Sequence, residues 1–473
     1  MNVRFLFPRC ARALRVNPNA LCAWLMLGVM LVADAPAVSA VDTWPGFRGD
    51  GTSHTRATNL PATWEMRGRA AGNWSIRLPG YGQSSPVIWK QQIFVSAVSG
   101  ENKEKLHLIA ISLADGSTLW QKELPGTQQV KDSDAVSRGA PTPVVDAERV
   151  YFVFESGDIF ALSHQGDLQW QRSFVKDYGE IKGPHGFASS PIIVGDSIVL
   201  QVAHSGPSYL LALDKKTGEN RWKVEHPSQT GWSTPVAVQH QGQSLIIVST
   251  AGSVRAVDAS SGELIWTVDN VQGNSTPSPT IAGDRVIIGA SSEPGGGGRR
   301  SASAAPAAGE ASKGATEAEK PSAPPTQAGS LAIELGGTGN VSESHVTWRS
   351  NRVSAGYSSP LVVDGLVYFV NRVGVAQCVD AESGEVLWSE RLPAACWTSP
   401  VCNEGRIFFF CKEGSVAVYK TGREKETLGE SSISTTDVVY GVAAVDNAWI
   451  VRTGRGLVRV SSPASETSVD AGR

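Results

Sequence analysis

Charge is scarce in this chain. Only 18% of its 473 residues are Asp, Glu, Lys or Arg, and the formal net charge is −3. No basic stripe breaks that balance, so nothing electrostatic points to nucleic acid as a partner. The same scarcity excludes long charged helices. Histidines are scattered. His164, His185, His204, His226, His240 and His345 fall in different segments, and none forms the H-x-x-x-H or H-E-x-x-H pattern that metal-assisted hydrolysis uses. Cysteines are few as well. After the first 40 residues only Cys378, Cys396, Cys402 and Cys411 remain. Their spacing matches no zinc motif, so no metal site is expected, and their even number suits buried free thiols or one or two disulfides.

Long apolar runs are missing, with one exception. LCAWLMLGVMLVA at 21–33 follows a basic region with Arg4, Arg9, Arg12 and Arg15, and precedes Val38-Ser39-Ala40. Basic region, apolar core and small-x-small site together predict an export signal over 1–40, cut after Ala40. About a dozen apolar residues are too few to span a bilayer comfortably. The expected product is an exported protein with no stable membrane span, and retention of the segment as an anchor is the alternative. Cys22 stands at the start of the apolar run, where lipidation is not expected.

What is present is glycine, 49 residues of it, and a repeat. HLIAISLADGSTLW (107–120), YLLALDKKTGENRW (209–222), SVRAVDASSGELIW (253–266) and VAQCVDAESGEVLW (375–388) each end in tryptophan, with a glycine four residues earlier. An alanine stands ten residues before the tryptophan, replaced by Cys378 in the last copy. DIFALSHQGDLQW (158–170) has one turn residue fewer, and SLAIELGGTGNVSESHVTW (330–348) has a longer turn. A second element runs in phase: QSSPVI, APTPVV, ASSPII, WSTPVA, TPSPTI, YSSPLV and WTSPVC, with prolines at 86, 143, 191, 235, 279, 360 and 400. YGVAAVDNAWIV (440–451) keeps the rhythm without the proline.

Each of these eight units reads as four strands joined by turns, most spaced 40 to 48 residues apart. That is the signature of an all-β, eight-bladed β-propeller of four-stranded antiparallel blades. The tryptophan then fills the gap between neighbouring blades, where burying an indole of about 200 Å² contributes up to roughly 5 kcal/mol. Trp120, Trp170, Trp222, Trp266, Trp348 and Trp388 take this docking role. The last unit lacks a fourth strand, and GNWSIRLPG (72–80) supplies one, so an N-terminal strand carrying Trp74 closes the ring. Unit seven has the turn glycine Gly422 but no tryptophan. The propeller is thus expected over 72–473, preceded by an extension over 41–71 and interrupted by a disordered low-complexity insertion at 293–329.

AVDASSGELIW, ALDKKTGENRW and CVDAESGEVLW resemble the tryptophan-docking repeat of pyrroloquinoline-quinone (PQQ) propellers, approximately A-x-D-x-x-T-G-x-x-x-W. That family includes quinoprotein alcohol dehydrogenases and non-enzymatic propellers similar to BamB, the scaffold of outer-membrane barrel assembly. WPGFRGDGTS (44–53) resembles the N-terminal motif of exported propellers of planctomycete type. The dehydrogenase branch implies PQQ with Ca²⁺, an adjacent-cysteine disulfide and, in some members, a C-x-x-C-H haem motif. This chain has no Cys-Cys pair and no such motif, and no Glu, Asn and Asp set matches the metal ligands.

Residues just ahead of the proline strands are expected near the axis on one face. They are Tyr81, Phe187, Trp232, Tyr357 and Trp397, with Arg138, Lys182, His185 and Asn274 close in sequence. Such a ring suits stacking of a sugar, a quinone or a peptide side chain, or else simple packing at the funnel mouth. The serines of SSP and STP recur in nearly every unit and read as strand openers. The resulting expectation is a monomeric, non-enzymatic scaffold of the periplasm or cell envelope. It would bind an envelope protein or an extended peptide and need no cofactor. A PQQ- and Ca²⁺-dependent dehydrogenase and a carbohydrate-binding propeller are the alternatives.

Overall fold

The computed structural model describes residues 43–64, 72–134, 136–291, 327–435 and 437–461. The export signal and most of the insertion lie outside the described residues. Eight antiparallel four-stranded sheets follow one another over 87–125, 144–173, 192–226, 236–272, 280–350, 361–391, 401–432 and 439–461. We call them blades 1 to 8. The eighth has three strands of its own, and Trp74–Arg77 adds the fourth, pairing antiparallel with Gly456–Ser461 from Trp74↔Arg459 to Arg77↔Gly456. The ring is therefore closed by the N-terminal strand. Phe174–Tyr178 is the one helix among the described residues.

The burial pattern explains the composition of the strands. A middle strand such as Ser197–Val202 is buried along its whole length, because blades cover both of its faces. Outermost strands such as Thr118–Pro125 alternate between exposed and half-buried residues. Continuous apolar runs and period-2 runs thus mark radial position within a blade.

The register accounts for the alanine of the repeat. Ala110 lies opposite Trp120, Ala161 opposite Trp170, Ala212 opposite Trp222, Ala256 opposite Trp266, Ala332 opposite Trp348 and Cys378 opposite Trp388. A bulge follows each pair. A small residue opposite leaves room for the indole to reach the next blade. There it lies on the turn glycine: an added Cβ on Gly218 would come within 2.6 Å of Trp170, and one on Gly166 within 2.9 Å of Trp120. Each indole N–H also donates to a turn carbonyl of that blade, as Trp120 does to His164 (2.8 Å) and Trp348 to Ala381 (3.0 Å). Trp74 behaves alike, over Gly116 with its N–H on the Leu113 carbonyl at 3.2 Å. Two tryptophans depart from this. Trp388 keeps the N–H bond, to Gly422 O at 3.3 Å, but none of its atoms lies within 4 Å of an added Cβ on Gly422. The larger departure is Trp266. It is fully buried against Leu335 and Val341 of the longer blade-5 turn, and its N–H has no partner.

Blade 7 is a complete sheet in which Gly429, opposite Val418, takes the tryptophan's place. The next blade, blade 8, has no third-to-fourth turn, because its fourth strand comes from the other end of the chain. No turn glycine exists there to receive an indole. Thr63 fills the space instead, 2.4 Å from where a Cβ of Gly429 would stand. Trp64 stacks on Phe410 at 6.4 Å, and its indole N–H donates to Ser432 O at 2.9 Å. The missing tryptophan and the break in the ring are one fact.

One expectation needs correcting. Gln327–Ala328, the end of the segment read as disordered, pairs parallel to the outer strand of blade 4 (Val271↔Gln327, Gln272↔Ala328). Gly339–Asn340 adds to the same edge. The edge of that strand has unpaired main-chain groups, which these short pieces satisfy.

Candidate functional site

The residue before each strand-opening proline is a hydroxyl, and the structure gives the reason. Ser85 N–H donates to Thr142 Oγ1 (3.0 Å), Thr142 to Ser190 Oγ (3.0 Å), and Ser190 to Thr234 Oγ1 (3.2 Å). The chain of bonds continues from Thr234 to Ser278 (2.8 Å), Ser278 to Ser359 (3.0 Å) and Ser359 to Ser399 (2.9 Å). Each link ties one blade to the next around the axis, contributing about 1 kcal/mol. The belt ends at Gly441 of blade 8, where a Cβ would fall 2.2 Å from Ser85 Oγ. These hydroxyls are engaged in architecture. Two Ser–His contacts lie elsewhere among the described residues. Ser344 Oγ meets the adjacent His345 Nδ1 at 2.8 Å in an exposed turn. Ser99 Oγ meets His107 Nε2 at 2.7 Å, where Glu123 is 3.9 Å from the other ring nitrogen, too far to orient it.

The channel inside the belt is closed by the chain's own N-terminal extension. Innermost strands have one unpaired edge, and residues 44–57 use several of them. Trp44 exchanges two hydrogen bonds with Ile88 (3.0 and 2.8 Å), Val145 N–H donates to Pro45 O (2.8 Å), and Cys402 N–H donates to Ser53 O (2.9 Å). Arg48 is 5% exposed; its guanidinium donates to Ser53 Oγ and to Pro360 O, both at 2.9 Å. Burial lowers its pKa to about 10, so it stays charged at neutral pH. The Arg-Gly-Asp triplet is therefore an internal anchor, with its arginine out of reach of a receptor. Phe47 lies across the channel and lines the cavities on both sides of it.

The cavity on the funnel side has a volume of about 580 Å³. Trp232, Tyr357 and Trp397 line it, joined by Tyr440, His185 and Arg372. Tyr357 and Trp397 have ring centres 5.2 Å apart, and Trp397 and Tyr440 5.6 Å apart. Across the mouth, His185 meets Trp232 edge-on at 5.7 Å, and the Trp232 N–H is held by Gly186 O at 2.9 Å. Arg372 donates to Tyr357 Oη (2.7 Å) and lies 4.9 Å from the ring centre.

Two residues expected in the ring sit elsewhere. Phe187 is 1% exposed and belongs to the core between blades 2 and 3. Tyr81 stands behind the wall, bonded through its hydroxyl to Tyr440 (2.8 Å) and Asp437 (3.2 Å), with Arg138 4.3 Å over its ring. Burial pushes the Tyr81 phenol well above its ordinary pKa, so it remains a neutral donor. Asn274 is fully buried and ties Ser249, Thr250 and Ser253 together. Sequence reasoning missed Phe47, Arg372 and Tyr440. Tyr440 had a usable signal, since it opens the eighth unit where the others carry their aromatics.

A calcium–quinone pair does not fit this wall. Ca²⁺ takes six to eight oxygens, several of them carboxylate. The cavity offers one carboxylate, Asp134, already paired with Arg138. Among the described residues no three His, Cys, Asp or Glu side chains converge.

The geometry can be set beside known proteins. The outer membrane protein assembly factor BamB of Moranella endobia is 24% identical over 237 residues, 49% of this chain and 56% of that protein. The BamB of Alkalilimnicola ehrlichii is 23% identical over 154 residues, 32% of this chain and 38% of that one. The chain thus aligns with about half the length of its curated relatives. The crystal structure of BamB from Moraxella catarrhalis superposes with a TM-score of 0.53 at 14% identity, covering 82% of this chain and 96% of that one. Quinohemoprotein alcohol dehydrogenase from Comamonas testosteroni superposes with a TM-score of 0.60 at 12% identity, covering 88% and 80%. At such identities the structures speak for the fold alone, and the split between scaffold and dehydrogenase falls to the site and the sequence. The sequence pattern of the family described as outer membrane protein assembly factor BamB matches residues 70–209, 206–339 and 340–470, and the chain belongs to that family.

Proposed function

We propose that this protein is an exported, non-enzymatic binding propeller of the cell envelope that acts in outer-membrane protein assembly. Its funnel receives an apolar or aromatic side chain from an extended segment of a partner protein. The observation that carries the reading is the blind cavity. Residues 44–57 close the channel from within, so the funnel is a socket, walled by Trp232, Tyr357, Trp397 and Tyr440. Aromatic sockets with a few fixed polar groups are the usual anchor points of protein interfaces. The basic and apolar pattern over 1–40 supports export, and the family supports the assembly role. No helix among the described residues is long and apolar enough to cross a membrane.

The test is photo-crosslinking in cells from Val373, which is 52% exposed beside Arg372. The expected product is one envelope protein, captured about tenfold less by Trp397→Ala at unchanged thermal stability. Equal capture by Trp397→Ala would sink the socket. A titration of the protein with PQQ and Ca²⁺, read by tryptophan fluorescence, is expected to show no saturation in the micromolar range. Saturable binding would overturn the non-enzymatic reading in favour of the dehydrogenase alternative.

A further inference from the structure

Two cysteines of blade 7 meet behind the funnel rim. Cys396 stands in the loop entering the blade, and Cys411 directly follows its second strand, Arg406–Phe410. Their sulfurs are 2.8 Å apart, and the residues are 1% and 0% exposed. One main-chain and one side-chain hydrogen bond to neighbouring carbonyls hold the two segments together. Lys412 N–H donates to Ala395 O (2.9 Å), and Thr398 Oγ1 donates to Phe410 O (2.8 Å). The hydrogen bond shared with Cys396 holds the Cys411 thiol below its ordinary range. The other two cysteines are placed differently. Cys378 points its sulfur at Gly422 O (3.6 Å), and burial pushes the Cys402 thiol up to about 11.

The pair matters to the funnel because Trp397 is the next residue. It bridges Tyr357 and Tyr440 along the rim, so whatever fixes Cys396 fixes that wall. We propose that Cys396 and Cys411 become a disulfide as the chain folds, and that this bond pins the Trp397 rim of the socket. The proposal rests on the export reading only for where the bond forms in the cell.

The chemistry balances as thiol–disulfide exchange. The Cys411 thiolate attacks a disulfide-bearing oxidant and releases one of its thiols. The Cys396 thiolate then displaces the second. Two cysteine thiols lose two protons and two electrons, one S–S bond forms, and the oxidant leaves reduced to two thiols. Both sulfurs are buried in the finished fold, so exchange precedes closure of the loop over them.

The test refolds the full chain from urea in a glutathione buffer with the oxidised form in excess. Free thiols are then alkylated in denaturant before tryptic mapping. The peptide 392–406, which carries Cys396 and Cys402, should be joined to 407–412, which carries Cys411. Cys402→Ser should keep the joined product and Cys396→Ser should lose it. No joined product from the unsubstituted chain overturns the bond, and a link that survives Cys396→Ser overturns this pairing. Amide exchange across 392–399 supplies the second readout, with about tenfold faster exchange expected at Trp397 in the reduced protein. Equal exchange in a mapped disulfide form would overturn the pinning of the rim. Because glutathione stands in for the compartment, neither result depends on export.

Discussion

At the scale of single residues, buried polar groups define where this protein is vulnerable. Arg48 anchors the channel closure through the Ser53 hydroxyl and the Pro360 carbonyl. Hydrogen bonds from a charged donor contribute roughly 1.5–3 kcal/mol each, so Arg48→Ala should cost about 3 kcal/mol in urea unfolding. Arg48→Lys should recover little, since one ammonium cannot reproduce the guanidinium fork. His226 makes a pH-dependent contribution. Burial, the largest cause, lowers its pKa to about 4, its Nδ1 lies 3.1 Å from Pro227 O, and its buried Nε2 has no partner. The folded state therefore resists a proton that the unfolded chain accepts below about pH 6.5. Stability from this group is complete above that pH and falls as pH drops toward 4, by up to about 3 kcal/mol. His107 and His204, also depressed by burial, push in the same direction. Unfolding midpoints measured from pH 7 to 4 should fall, and His226→Gln should flatten the slope.

At the scale of elements, the docking of one blade on the next is the repeated unit of stability. Blade 3 contains its own control. Gly218 has φ +75° and lies under Trp170, whereas Gly195 has φ +58° and nothing within 4 Å of an added Cβ. Gly195→Ala should cost about 1 kcal/mol, the left-handed penalty alone. Gly218→Ala adds a collision with the indole and should cost about 2–4 kcal/mol. Urea denaturation of the two variants separates backbone strain from docking. Equal losses would mean that the indole does not bear on the glycine. The same reasoning was available from sequence: in the four full copies of the repeat, a glycine four residues before the tryptophan and an alanine (or Cys378) ten before are the marks of a side chain crossing between blades. The hydroxyl belt was visible only as a recurrent serine or threonine, because its partner always sits one blade away.

At the scale of the whole molecule, the N-terminal extension does two jobs with two adjacent stretches. Residues 44–64 close the channel and fill the gap at Gly429, while Trp74–Arg77 completes blade 8. Removing residues 1–64 should leave a closed eight-bladed ring with lowered stability. Removing residues 1–78 should leave blade 8 with an open edge and cost the single cooperative transition, read by near-ultraviolet circular dichroism and gel filtration. If both truncations unfolded alike, closure would depend on the plug and not on the strand.

The sequence by itself determined the count of blades, the order of strands within each, the docking tryptophans and the closing strand. Each rests on local periodicity and spacing, which short-range sterics and turn chemistry enforce. It could not place side chains about the axis. Phe187 and Trp232 occupy similar positions ahead of their strands, yet one lies in the core between blades and the other in the funnel wall. That outcome depends on how each entering loop tilts against its neighbours, a matter of packing between residues far apart in the chain. The channel closure was likewise a tertiary decision. Arg48 meets Pro360 across more than three hundred residues, and only the curvature of the finished ring brings them within hydrogen-bond distance.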